Sequence, residues 1–139
     1  MKVRATVWFG AVALVTAFSV QTAFADVALP PVHQSGDIAY RAGGIGSDQS
    51  QAMKSVMHRY PLSLEFVGRR GDYLADVPVQ ITDMHGNTVL SAQSNGPFML
   101  LQLPDGHYQV SASYDGDTLH RSVDIRNGTR SHEMFVWPV

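Results

Sequence analysis

From residue 62 onward the chain alternates apolar and polar side chains with a period of two, and turn-forming residues break the pattern at short intervals. Only a β-strand places successive side chains on opposite faces, so this stretch has to build sheets with one buried side. Its sharpest instance is residues 101–112, LQLPDGHYQVSA. Pro104 presets φ for the first corner of a turn, Asp105 can bond its own backbone, and Gly106 accepts positive φ without steric cost. Tyr108, Val110 and Ala112 then share one face, while His107, Gln109 and Ser111 share the other. Upstream, Leu62, Leu64 and Phe66 alternate with Ser63 and Glu65, and Val77, Val79 and Ile81 alternate with Pro78, Gln80 and Thr82. Pro78 cannot donate to a ladder, which points that strand to a sheet edge or a bulge. Turns at 83–87, 95–97, 114–117 and 127–128 deliver further strands over 88–94, 98–103, 118–126 and 130–137. Seven short strands with a turn roughly every 8 to 12 residues predict a mainly β chain folded as an antiparallel sandwich.

Just before this region the period is 3.6. In residues 47–60, SDQSQAMKSVMHRY, the apolar residues Ala52, Met53, Val56, Met57 and Tyr60 recur at three-and-four spacing; Ser47 or Asp48 can cap the start, and Pro61 halts the segment. One amphipathic helix is expected over 47–60, and its apolar stripe needs a sheet to lie on. The last strand needs cover too. Phe135 and Trp137 share one of its faces and Met134 and Val136 the other, so the helix stripe is the expected partner of the second face, with another protein chain as the alternative. Residues 26–46 hold Pro30, Pro31 and Gly36 with no sustained period, and read as an N-terminal arm closed by the glycine-rich hinge Gly43-Gly44-Ile45-Gly46.

Residues 1–25 read as a secretory signal peptide. Lys2 and Arg4 form a positive head, residues 5–20 are uncharged and largely apolar, and Ala23-Phe24-Ala25 is a small-x-small pattern that places cleavage after Ala25. The apolar run is shorter than the roughly 20 residues a membrane span needs, and no second one follows. The expected product is therefore soluble, without a membrane span, and located in the periplasm or secreted. Residues 26–139 suffice for one core and are too few for two. Loss of Lys2 and Arg4 leaves eight Lys and Arg against twelve Asp and Glu, a formal charge of −4. Such a surface gives no electrostatic reason to bind nucleic acid. The absence of cysteine excludes disulfides, thiol catalysis and thiolate metal sites, so packing alone must hold the exported product together.

The run Ala75-Asp76-Val77-Pro78-Val79-Gln80-Ile81-Thr82-Asp83, then Gly86 and Val89, Gly96 and Phe98, and Leu103-Pro104-Asp105-Gly106-His107-Tyr108-Gln109-Val110-Ser111-Ala112 resembles the carboxypeptidase regulatory-like domain. That family is related to the Cna B-type domains, and the resemblance covers residues 62–139. It implies a seven-stranded, transthyretin-like antiparallel sandwich preceded by one N-terminal helix, and an accessory, adhesive or binding module of the cell envelope. It supplies no ligand. Two enzymatic or covalent properties of related domains do not carry over. The internal Lys-Asn crosslink of some Cna B-type domains needs a strand lysine, whereas the single lysine after the leader, Lys54, belongs to the helix; and the chain ends in Phe-Val-Trp-Pro-Val, unlike the tyrosine-containing tetrapeptide of transthyretin-like hydrolases.

Residue patterns for chemistry are sparse. His58, His85, His107, His120 and His132 include no His-x-His or His-x-x-x-His pair, so no metal site is expected; His107 and His120 are the two that could face each other across the 115–117 turn. Asp115-Gly116-Asp117 is too short to supply the roughly six to eight oxygens calcium takes. No G-x-S-x-G elbow occurs. The glycine cluster at 43–46 lacks the preceding strand and the Lys-Ser/Thr ending of a phosphate loop. No catalytic residue or cofactor is expected. Tyr73, Tyr114, Phe135 and Trp137 form the candidate partner surface, as a stacking platform for a sugar or as an interface anchor, while Phe66, Phe98 and Tyr108 are assigned to the core. The expected function is non-catalytic binding of a protein or cell-envelope partner. A carbohydrate- or peptidoglycan-binding module is the alternative, and a hydrolase stands third.

Overall fold

The computed structural model describes residues 29–139, so the expected leader and the expected cleavage after Ala25 lie outside the described residues, as do positions 26–28 of the arm. In chain order the elements are β1 (His33–Ser35), β2 (Ile38–Gly43), α1 (Ser47–Val56), a 3₁₀ turn (Met57–Arg59), β3 (Leu62–Gly68), β4 (Val77–Asp83), β5 (Thr88–Ser94), β6 (Phe98–Gln102), β7 (Gly106–Tyr114), β8 (Asp117–Ile125) and β9 (Ser131–Trp137). They form a five-stranded sheet in the order β1-β2-β6-β3-β9 and a four-stranded sheet in the order β5-β4-β7-β8. The period-two residues explain the layers. Leu62, Leu64 and Phe66 of β3, Val77, Val79 and Ile81 of β4, Val110 and Ala112 of β7, and Phe135 and Trp137 of β9 meet in a single buried cluster shared by both sheets. Phe66, Phe135 and Trp137 pack ring against ring within it, centroids 5.8 to 6.2 Å apart, with Phe135 and Trp137 stacked and Phe66 tilted to both. The Trp137 indole also donates to the Asp117 carbonyl at 3.0 Å, fastening the last strand to the start of β8.

Five expectations need correction. The described residues hold nine strands rather than seven, because the stretch read as an arm and hinge contains β1 and β2. Gly36, at φ +56°, turns the chain between them, and β2 pairs along its length with β6, from Ala39↔Gln102 to Gly43↔Phe98. The sandwich is not wholly antiparallel: β9 runs parallel to β3, from Leu62↔Ser131 to Gly68↔Trp137. Pro78 sits in a central strand, not at an edge. It pairs with Gln93 of β5, while the pairing of β4 with β7 begins one residue later at Val79↔Ala112, where a donor is available.

The glycine cluster is a packing node rather than a hinge. A Cβ on Gly96 would stand 2.3 Å from the Gly43 carbonyl carbon, so two backbones touch there, and Gly44, at φ +99°, swings the chain off β2 against the Phe98 ring. The helix begins at Gly46 without a Ser47 or Asp48 side-chain cap; instead Gln49 Oε1 accepts the N–H groups of Gly44 and Ile45 at 2.8 and 3.3 Å.

Candidate functional site

Strand alternation divides the five-stranded sheet into an inner face, buried against the other sheet, and an outer face. Registers place the outer-face residues in rows: Leu100, Ser63 and His132 from β6, β3 and β9, then Phe98, Glu65 and Met134, then Val67 and Val136. Helix α1 covers the β6 end of these rows. Met53, Phe98 and Leu100 are each fully buried in a second apolar cluster, bordered by Leu29, Val56, Met57 and Tyr60. Tyr73 reaches over the same region through an isolated bridge to Val67 and sets its ring edge-on to Phe98, 5.3 Å between centroids. Lys54, on the helix, places its ammonium 5.5 Å from the Tyr73 ring centre. Hydrogen bonding to Tyr73 raises the pKa of Lys54, with a smaller contribution from the Glu65 charge.

The β9 end of each row is bare. Met134 is 46% exposed and Val136 44%, contrary to the expectation that the helix would cover them. Geometry forces this. The helix starts four positions after the last residue of β2, so it must lie close to that strand; neighbouring strands are about 4.8 Å apart and a helix is about 10 Å across, which shades β6 and β3. Strand β9 stands three places from β2, about 14 Å away, outside that shadow. It is also the end strand of its sheet, and among the described residues no strand pairs with its outer edge. Alternate N–H and C=O groups of an end strand are open to a further strand.

Between the covered and bare columns runs a hydrogen-bonded chain. Ser63 Oγ lies 2.7 Å from His132 Nδ1, and His132 Nε2 lies 3.2 Å from Glu65 Oε2. The topology makes it. Ser63 and Glu65 are two apart on β3 and share a face, and the parallel register sets His132 directly opposite Ser63 and diagonal to Glu65. The residue types are those of a hydrolytic triad, but Ser63 is 3% exposed, so a substrate carbonyl has no approach to its hydroxyl. What the chain does is pin the end strand to its neighbour. No family model matches this protein, and no curated protein matches it.

Of the four aromatic residues expected at a partner surface, Tyr114, Phe135 and Trp137 pack together at the core instead, and Tyr73 stands apart from them. Phe135 and Trp137 are fully buried, because they face inward on β9; Tyr114 is half-buried, its ring 5.9 Å from that of Trp137; Tyr73 alone is exposed, at 44%. Among the described residues Tyr73 is also the one aromatic in the set of exposed large apolar side chains, so no row of stacking rings faces solvent. Phe66 and Phe98 are buried as expected, and Tyr108 is half-buried with its hydroxyl donating to the Pro104 carbonyl at 2.8 Å. His107 and His120 do not face each other. The β7–β8 register sets His107 against Asp124, 3.1 Å away, and His120 against Ser111, at 2.8 Å. Among the described residues no three His, Asp or Glu side chains gather as metal ligands would.

The outer face of the four-stranded sheet carries a shallow basin of about 490 Å³, floored by hydroxyls and amides that include Gln80, Gln93, Ser111 and Thr118. The serine–histidine–glutamate chain was missed by reading the sequence because its members lie 63 to 132 in the chain and meet only through the parallel pairing. The one local signal was Ser63 and Glu65 at a spacing of two on an otherwise apolar strand.

Proposed function

We propose that this chain is a non-catalytic binding module exported to the cell envelope, in the periplasm or secreted, and that it takes an extended segment of a partner protein alongside β9. One observation carries the reading: β9 is an end strand whose outer face exposes Met134 and Val136, while every other apolar run of its sheet is covered. A partner strand added there gains main-chain hydrogen bonds along the edge and buries apolar side chains at alternate positions against those two residues. Pinning by His132 gives the edge a fixed register, which lowers the ordering cost of docking. Export is supported by the leader pattern in residues 1–25. Kinship with the carboxypeptidase regulatory-like, transthyretin-like sandwiches is part of the same proposal. It is supported by the two face-to-face sheets, with β1 and β2 as an added hairpin on the β6 side. A glycan- or peptidoglycan-binding role is the second reading, favoured by the polar basin over Gln80 and Thr118.

A photo-reactive amino acid placed at Met134, and separately at Gln80, in the exported protein tests both. Crosslinking to an envelope protein from position 134 and not from 80 is expected, and the mature product should begin at Asp26. Adducts from position 80 alone would replace the protein partner with a ligand of the other sheet, and a product that retains residues 1–25 would remove export from the account.

A further inference from the structure

A second concavity, of about 380 Å³, lies at one end of the sandwich, where the end of the 3₁₀ turn with the residues after it, the β6–β7 turn and the β8–β9 loop converge. Three arginines line it: Arg59, Arg126 and Arg130. They are three of only eight Lys and Arg in a chain that carries twelve Asp and Glu outside the leader, so a local excess of positive charge sits on an acidic protein. Arg126 is tied to Asp124, its Nε and one terminal nitrogen each 2.8 Å from the same carboxylate oxygen. Arg59 and Arg130 have no carboxylate within 4.0 Å among the described residues. One acidic side chain, Asp105, shares the lining.

The walls are held before any ligand arrives. Gln102 Nε2 donates to the Arg59 carbonyl at 3.3 Å, the Ser131 N–H donates to the Pro61 carbonyl at 2.9 Å, and both the N–H and the hydroxyl of Thr129 donate to the Arg126 carbonyl at 3.0 and 2.8 Å. Tyr60, also in the lining, receives a 2.8 Å hydrogen bond on its hydroxyl from Arg41 Nε. Two arginines without a carboxylate partner among the described residues, lining a concavity whose backbone is held, suit the recognition of oxyanions, since each guanidinium offers a planar fork of donors that matches two oxygens. The volume suits a ligand of monosaccharide or amino-acid size rather than a chain.

The geometry points to a binding site for a small oxyanion-bearing ligand, a carboxylate or a phosphate monoester, held between Arg59 and Arg130. This site is separate from the β9 edge and stands or falls without it. Asp105 opposes the bound charge.

The probes are sodium phosphate and sodium glucuronate, titrated into the exported protein at low ionic strength with sodium chloride as the control and followed by ¹H–¹⁵N shifts. At least one of the two is expected to give saturable shifts confined to residues 59–62, 102–105 and 126–131. Phosphate alone identifies a phosphate ligand, glucuronate alone a carboxylate one, and both a general oxyanion site. Arg59→Ala and Arg130→Ala should each weaken binding about tenfold, the usual scale for one charge-assisted contact. Asp105→Asn should strengthen it, and Arg70→Ala, away from the cavity, should leave it within about twofold. Absence of saturable shifts with both probes, or equal effects of the Arg59, Arg130 and Arg70 variants, overturns the assignment.

Discussion

Phe98→Ala and Met134→Ala, measured side by side, decide where helix α1 sits. Both residues occupy the same row on the outer face, separated by Glu65, yet Phe98 is fully buried under the helix and Tyr73 while Met134 is 46% exposed. Truncating a buried phenylalanine costs about 3 to 5 kcal/mol, the transfer of the ring plus the void it leaves. The helix and Tyr73 are surface elements that can settle into the space, so the lower end, about 3 kcal/mol, is expected. That amounts to a fall in melting temperature of roughly 12 °C for a domain of this size. For Met134, full burial would be worth about 1.5 to 3 kcal/mol, and with nearly half of the side chain in water the loss should be about half of that, roughly 1 kcal/mol. Urea unfolding of both variants, followed by circular dichroism, gives the two values. Equal losses, or a larger one for Met134, would mean that the helix lies over β9, and the reasoning from strand spacing would fail.

Other expectations follow from single contacts. His132→Ala removes both hydrogen bonds that pin β9 and leaves the buried Ser63 hydroxyl with only a 3.5 Å contact to the Ser131 carbonyl, so a loss of about 1 to 2 kcal/mol is expected in the same unfolding experiment, part of which His132→Asn should recover. Trp137→Phe gives up the indole hydrogen bond to Asp117 and part of the core volume, for about 2 to 3 kcal/mol, read as a lower thermal midpoint. Asp83 accepts the N–H groups of His85 and Asn87 at 2.9 Å, which lowers its pKa, the Asn87 bond being the largest cause. Its folded pKa lies below the unfolded one, so its contribution is present above the unfolded value and is lost as pH falls through the folded one. Asp83→Asn should therefore flatten the loss of stability below about pH 4, and an unchanged acid limb would contradict the assignment.

Most of the strands were legible because one face of each is buried and the other wet, which writes a period of two into residues 62–137 and leaves turn residues between. The hairpin around Pro104 and Gly106 is the plainest instance. Strand β2 escaped because its contrast is weak: Ile38, Tyr40 and Ala42 face the core side, but on the other side Arg41 is the one polar residue, between the small Ala39 and Gly43, and β1 is only three residues long. Parallel pairing of β9 with β3 leaves no mark on either strand, since register between distant segments is set by the whole topology. Both candidate sites inherit that opacity. The apolar outer face of β9 could be read from Met134 and Val136, but not that it stays bare. Arg59 ends the 3₁₀ turn while Arg126 and Arg130 flank the one turn between β8 and β9, and only the fold brings these two distant segments to one end.

Residue-resolved amide exchange along β9 in the protein alone is the most direct test of a free, ordered end strand. Alternate amides between Ser131 and Trp137 should exchange slowly, where they bond to β3, with the intervening ones exchanging at rates close to those of open backbone. Uniform slow exchange would show that something already covers the edge, and uniform fast exchange that β9 is not pinned to β3; either result would remove the surface on which the proposed partner docks.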